Sequence, residues 1–210
     1  MSELTITDVE TYLVANPWKP WVFVRVETNE GVHGLAEATT HDKPRTVAAA
    51  IEEMSEYFVG EDPFDTERLW LQMYRDEWFS KNVINTTVIS AIDIACWDIK
   101  GKVLDQPVYN LLGGKVHGDR LRTYANGWYT ETTDDLDTWK RAAERVVADG
   151  YDAMKFDPFG DAWQRMNREE FNYAISVVGA RSTSPNTSRS STRPGSRNPA
   201  RRTRSIACER

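Results

Sequence analysis

Over residues 21–28, Val22, Val24 and Val26 alternate with Phe23, Arg25 and Glu27, the two-residue period of a strand with one buried face. Residues 5–14 carry Ile6, Val9 and Tyr12 among polar neighbours and predict a second strand, with less regular alternation. The turn signal Asn29-Glu30-Gly31 then leads into a third strand over 32–38. Thereafter the period changes to that of helices. Val47, Ile51, Met54 and Phe58 predict a helix over 44–59 stopped by Gly60, and Leu69, Trp70, Met73 and Tyr74 a second over 64–78. Ile89, Ile92, Cys96, Ile99 and Val103 advance by three and four residues, one buried stripe of a third helix. Gly101 lowers helix propensity within that stripe by roughly 1 kcal/mol relative to Ala, which marks a place where another backbone comes close. Asp105-Gln106-Pro107 offers a cap and a proline at a first helical position, and Gly113-Gly114 closes a short fourth helix.

Beyond Gly114 the order becomes strand, helix, strand, helix, over 121–125, 134–149, 151–157 and 161–178. Strands followed by a run of helices indicate an α+β unit, whereas alternation indicates parallel strands joined by crossover helices. The expected architecture is therefore an α+β N-terminal capping domain over 1–114, the first two βα units of an incomplete (β/α) barrel over 115–178, and a disordered basic tail over 179–210. A complete barrel of eight units takes roughly 200 residues or more.

The charge balance sharpens that division. Of 26 Lys and Arg, eight, all Arg, fall after residue 178, whereas of 32 Asp and Glu only Glu209 does, so a body of net −13 carries a tail of +7. The tail is rich in Ser, Thr, Arg and Pro and cannot bury enough apolar surface to offset its ordering entropy. Its abrupt start is that of out-of-frame translation of a G+C-rich gene. The competing reading, a natural basic tail for nucleic acid, lacks interleaved aromatics. The acidic body argues against nucleic acid as a partner. Cys96 and Cys208 do not indicate a disulfide framework, no apolar run approaches the roughly 20 residues that cross a bilayer, and the N-terminus lacks a signal-peptide core. A cytoplasmic protein without membrane contact is expected.

One string resembles a family signature. Ser90, Ala91, Asp93, Ala95, Trp97, Asp98, Lys100, Gly101, Lys102, Pro107, Leu111, Leu112, Gly113 and Gly114 match that of the mandelate racemase and muconate lactonizing group of the enolase superfamily. Residues 58–63 (FVGEDP), Trp70, Met73-Tyr74-Arg75, Lys115 and Tyr124-Ala125-Asn126 resemble its galactonate and gluconate dehydratases. The resemblance implies an N-terminal cap over a modified barrel and a magnesium ion on the substrate carboxylate. A base then removes the α proton, and loss of water gives a 2-keto-3-deoxy sugar acid. Enolase-superfamily sites with a Lys or His base are a standard instance of such pKa-tuned chemistry. The resemblance further implies a homo-oligomeric full-length form. It places the magnesium ligands on later barrel strands, beyond residue 178, so this chain is expected to be a truncated form with little or no activity. A racemase or cycloisomerase of the same superfamily, or a non-catalytic oligomerisation fragment, stays open.

Lys155-Phe156-Asp157 stands where many relatives have K-x-K, and alternation puts Lys155 and Asp157 on one face. Lys155 is a candidate for the substrate carboxylate or for proton transfer, while Asp157 replaces the lysine that is usually the base. A structural ion pair between the two is the alternative. In the loop between the first strands, Trp18, Lys19 and Trp21 are candidates for binding the sugar acid, or for packing the cap, and Lys81-Asn82 for a second contact. His33, His41 and His117 show no ligand spacing.

Overall fold

The computed structural model describes residues 4–17, 19–76 and 82–180. Trp18, Lys81 and the basic tail from residue 181 onward lie outside the described residues. The chain divides into two compact units, Met1–Val116 and His117–Arg210.

The first unit opens with an antiparallel sheet in the order β1 (Ile6–Val14), β2 (Trp21–Thr28), β3 (His33–Glu37). The alternation over β2 holds throughout: Val22, Val24 and Val26 are fully buried. Each contributes about 1.5–3 kcal/mol of burial. Register follows from that face, since Val9 pairs with Val26, Leu13 with Val22 and Ala36 with Val24. The irregular alternation of β1 has a structural cause in a register shift between Ile6 and Asp8.

Helix α1 (Pro44–Glu53) starts on a proline, as a first helical turn tolerates, and buries Val47 and Ile51. A 3-10 turn, Met54–Tyr57, then replaces the continuous helix expected to residue 59. Phe58 fills the core behind it, and Gly60, at φ 90°, donates its N–H to the Ile6 carbonyl at 2.8 Å. The helix end thereby pins the start of β1. Helix α2 (Thr66–Arg75) buries Leu69 and Met73, with Glu67 in its first turn and Arg75 in its last, each favourable to the helix dipole.

Helix α3 (Val83–Val103) is the centre of this unit. It begins six residues before the periodic stripe because Asn82 caps it, the side-chain oxygen accepting from Ile84 N at 2.9 Å and Asn85 N at 3.0 Å. Ile89, Ile92, Cys96 and Ile99 are buried as expected, together with Val88, Ala91 and Ala95, but Val103 is exposed, a correction to the stripe. The helix closes in a Schellman motif: Asp105 N–H reaches the Lys102 carbonyl and Gln106 N–H the Gly101 carbonyl. Asp105, not a glycine, takes the left-handed position at φ 48°. Pro107 is the N-cap of α4 (Val108–Leu111) rather than its first helical residue. A side chain at Gly101 would meet Gln106 O at 2.9 Å, which is the close approach the sequence implied.

The second unit departs further from expectation. Neither 121–125 nor 151–157 is a strand; the two segments meet in one isolated parallel bridge, Ala125 with Met154. The direction is that of a βαβ unit, but a parallel ladder needs neighbours and covered faces, and Leu121 is 82% exposed with Tyr124 at 56%. Helix α5 (Leu136–Ala148) is as expected, capped by Asp135. Helix α6 (Arg168–Ala180) begins seven residues later than expected, because Asn167 and Glu170 form a capping box. A separate 3-10 turn covers Gly160–Trp163. Ala143 and Val146 of α5 and Ala174 and Val177 of α6 are buried, and Phe171, Ile175 and Val178 are exposed.

Candidate functional site

The residues that carry the family signature hold structure together. Asp98 Oδ2 accepts from Leu35 N at 2.9 Å and from Lys102 Nζ at 2.7 Å, and Lys102 Nζ also donates to the His33 carbonyl at 2.7 Å. Lys100 donates to Thr66 Oγ1 at 3.0 Å and lies 4.5 Å from the centre of the Trp97 ring. One helix thus grips β3 on one side and the start of α2 on the other. A groove of about 750 Å³ runs beside it, lined among others by Asp93, Trp97, Asp98 and Lys102. Burial, with Glu67 adding to it, pushes the Asp93 carboxyl above the usual range, and Lys100 acts against the shift. The charged pair in this groove is already spent on β3, so its chemistry is that of a packing surface.

The candidate residues of the first unit are separately placed. Trp21 is the first residue of β2, 37% exposed, and packs edge-to-face on Phe23 at 5.9 Å. Lys19 is half-buried just before it. Asn82 has its side-chain oxygen committed to the α3 cap.

In the second unit, Lys155-Phe156-Asp157 is held at every residue. Lys155 N donates to the Ala125 carbonyl at 2.8 Å, and the Lys155 carbonyl accepts from Trp128 Nε1 at 2.8 Å. Phe156 packs against Trp128 at 5.7 Å and Trp139 at 6.1 Å between ring centres. Tyr129 stacks on Trp139 at 5.8 Å with the planes 10° apart. Asp157 Oδ1 accepts from Phe159 N at 3.0 Å, the short-range turn that Asp side chains favour. Lys155 and Asp157 are exposed while Phe156 is half-buried. The aromatic group around Phe156 escaped sequence reading, although Trp128, Tyr129 and Trp139 signal it as large apolar residues close in sequence to the bridge residue Ala125 and on α5.

Magnesium takes oxygen ligands, carboxylates above all. Among the described residues there is no group of three or more His, Cys, Asp or Glu side chains that could hold a metal ion. They do not by themselves fit a magnesium site. No helix among the described residues is long and apolar enough to cross a membrane.

Comparison with known proteins bears on what such an arrangement belongs to. The N-terminal domain of mandelate racemase / muconate lactonizing enzyme matches residues 6–113. The D-gluconate dehydratase of Thermoproteus tenax is 39% identical over 160 residues, covering 76% of this chain and 32% of that protein. The D-gluconate/D-galactonate dehydratase of Picrophilus torridus is 34% identical over 184 residues, covering 84% of this chain and 46% of that protein. The crystal structure of an enolase from Pantoea ananatis with bound D-gluconate and magnesium is similar with a TM-score of 0.65 and 34% identity, over 72% of this chain and 36% of that one. The chain thus spans 32% and 46% of the length of these two dehydratases. Sheet, helices, signature contacts and sequence likeness agree: the chain belongs to the mandelate racemase and muconate lactonizing enzyme family of the enolase superfamily.

Proposed function

We propose that this chain supplies the cap and the first barrel segments of a sugar-acid dehydratase, whose reaction removes the proton α to a carboxylate and then expels water to leave a 2-keto-3-deoxy acid. The observation that carries this reading is the likeness to the Picrophilus torridus dehydratase. A match covering 84% of 210 residues runs well beyond the family domain at 6–113 and takes in Lys155 and Asp157.

In this reading Lys155, on a fixed backbone and with an exposed side chain, attracts the substrate carboxylate or moves a proton beside it. An ammonium group next to a carboxylate whose α-carbon is losing a proton offsets the charge that develops there. Asp157 sits on the same face but accepts a backbone N–H, which suits an acceptor for a substrate hydroxyl better than a strong base. Trp18, Lys19, Trp21 and Asn82 contribute to recognition of the sugar acid from the first unit. The Pantoea ananatis relative carries magnesium together with D-gluconate, and the described residues provide no ligand cluster for such an ion. We therefore assign the 210-residue chain little or no turnover of its own. The buried, reduced thiol of Cys96 suits the cytoplasm, and the complete enzyme is read as a homo-oligomer.

Two proteins test the reading in a thiobarbituric-acid assay for 2-keto-3-deoxy products from D-gluconate and D-galactonate with magnesium present. The first is the 210-residue chain, expected to give no product. The second joins residues 1–178 to the remainder of the Picrophilus torridus dehydratase and is expected to give it. Product from the chain alone overturns the assignment of low activity. A soluble chimera that epimerises sugar acids without dehydrating them overturns the dehydratase reading in favour of a racemase.

A further inference from the structure

We propose that Trp128 is a positioning residue for Lys155, acting through the backbone to aim its ammonium group at a sugar-acid carboxylate; this rests on the reading of Lys155 given above. Both backbone polar groups of Lys155 are held, the N–H by the Ala125 carbonyl and the carbonyl by Trp128 Nε1, each at 2.8 Å. The bridge at Ala125 and Met154 is isolated, so a backbone that regular pairing would otherwise fix has one hydrogen bond from the chain and one from a side chain. The indole is itself immobilised, packing on Tyr129 at 5.7 Å, Trp139 at 6.2 Å and Phe156 at 5.7 Å. Phe156 enters that aromatic group directly after Lys155, so one ring system fixes the carbonyl of Lys155 and the side chain of its neighbour. Rotation about the Lys155 backbone is closed off on both sides, while the side chain stays exposed. A long, four-carbon side chain loses little of its own freedom in this way, but its root no longer wanders, and a fixed root raises the fraction of conformers that meet a carboxylate.

The same cluster supplies an internal control. Trp139 Nε1 donates to the Thr133 carbonyl at 3.0 Å, so it too is a ring of this group with one indole hydrogen bond, but the bond goes elsewhere. Trp128→Phe and Trp139→Phe each delete one indole N–H from one aromatic group, and only the first frees Lys155. The test is a titration of the full 210-residue chain with D-gluconate. It is followed by the NMR signal of Lys155 after reductive 13C-methylation, and Lys155→Met identifies the resonance. Unfolding midpoints of all variants are measured alongside.

The parent chain is expected to bind D-gluconate saturably with a shift of the Lys155 signal. Trp128→Phe is expected to weaken that binding about five- to tenfold, the worth of one hydrogen bond. Trp139→Phe is expected to leave it within twofold at a comparable unfolding midpoint. Equal weakening by the two variants overturns the positioning role and reduces Trp128 to packing. An unshifted Lys155 signal in the parent chain, or binding that survives Lys155→Met, overturns instead the reading of Lys155 as a substrate contact. Should Trp128→Phe fail to fold, Trp128→His, which restores a ring N–H donor, is expected to fold and to recover part of the affinity; a folded Trp128→His with no recovery also counts against the proposal.

Discussion

Gly34→Ala is expected to be among the most damaging single-methyl changes in the first unit. An added Cβ would lie 2.1 Å from the Ala95 carbonyl oxygen, 2.7 Å from its carbon and 3.0 Å from Ile99 Cγ1. Ordinary contact is about 3.5 Å, so β3 and α3 must separate by roughly 1.4 Å along that direction. The obstructing atoms are helix backbone, which has no rotamer to change. Overpacking of this kind costs about 1–3 kcal/mol, and a rigid obstacle places it at the upper end. The reduced freedom of the unfolded chain returns about 0.5 kcal/mol. Separation also stretches the bonds from Asp98 to Leu35 N and from Lys102 to the His33 carbonyl, adding about 1 kcal/mol. The sum is about 3.5 kcal/mol, several hundredfold in the opening equilibrium. The assay is thiol labelling of Cys96 across a urea series, in a Cys208→Ser background so that one buried thiol reports on the first unit. Gly101→Ala is the comparison. There the obstacles are the Gln106 backbone O at 2.9 Å and Val108 Cγ2 at 3.2 Å, so the separation needed is roughly 0.6 Å, less than half that at Gly34. The gain in helix propensity of about 1 kcal/mol offsets much of the strain. A Gly34→Ala destabilisation under about 1 kcal/mol, or one smaller than that of Gly101→Ala, would refute the reasoning.

Asp98→Ala removes the acceptor of Leu35 N and the partner of Lys102. The ion pair is about a third exposed on both sides and adds at most about 0.5 kcal/mol, so the expected loss of about 1–2 kcal/mol lies mainly in the amide bond; the same urea series measures it, and Asp98→Asn should recover part of it. Burial, with Asp93 adding to it, pushes the Cys96 thiol up to about 12. An unfolded thiol ionises near 8.5, so the unfolded state sheds its proton first as pH rises. The stabilising contribution is therefore intact below about pH 8.5 and declines by up to about 1.4 kcal/mol per pH unit as pH approaches 12. Cys96→Ala should flatten the fall in stability above pH 8.5, and an identical slope in both proteins would count against the burial argument.

Much of the first unit was legible because its signals are local. The alternation of Val22, Val24 and Val26 fixes β2 and its register, and the Ile89–Ile99 spacing fixes the buried stripe of α3. The start of α6 was also legible in Asn167 and Glu170, yet a longer apolar pattern masked it. The need for Gly34 was not legible, because it arises from Ala95, 61 residues away in sequence and brought close only by packing. The strands expected over 121–125 and 151–157 failed for a related reason: apolar residues mark a capacity to pair, and pairing depends on neighbours. As for the candidate site, the sequence marks Lys155 and Asp157 by their place in the K-x-D string, whereas the Trp128 bond to the Lys155 carbonyl joins residues 27 apart and no pattern announces it.

The grip of α3 on β3 also decides where the sheet can grow. Leu35 N–H and the His33 carbonyl are neighbouring groups on the outer margin of β3, the positions a fourth strand would use. Asp98 and Lys102 occupy both, so that margin offers an incoming chain little to zip onto. Side chains of a helix thus act as a selvedge, closing one border of the sheet against edge-to-edge association.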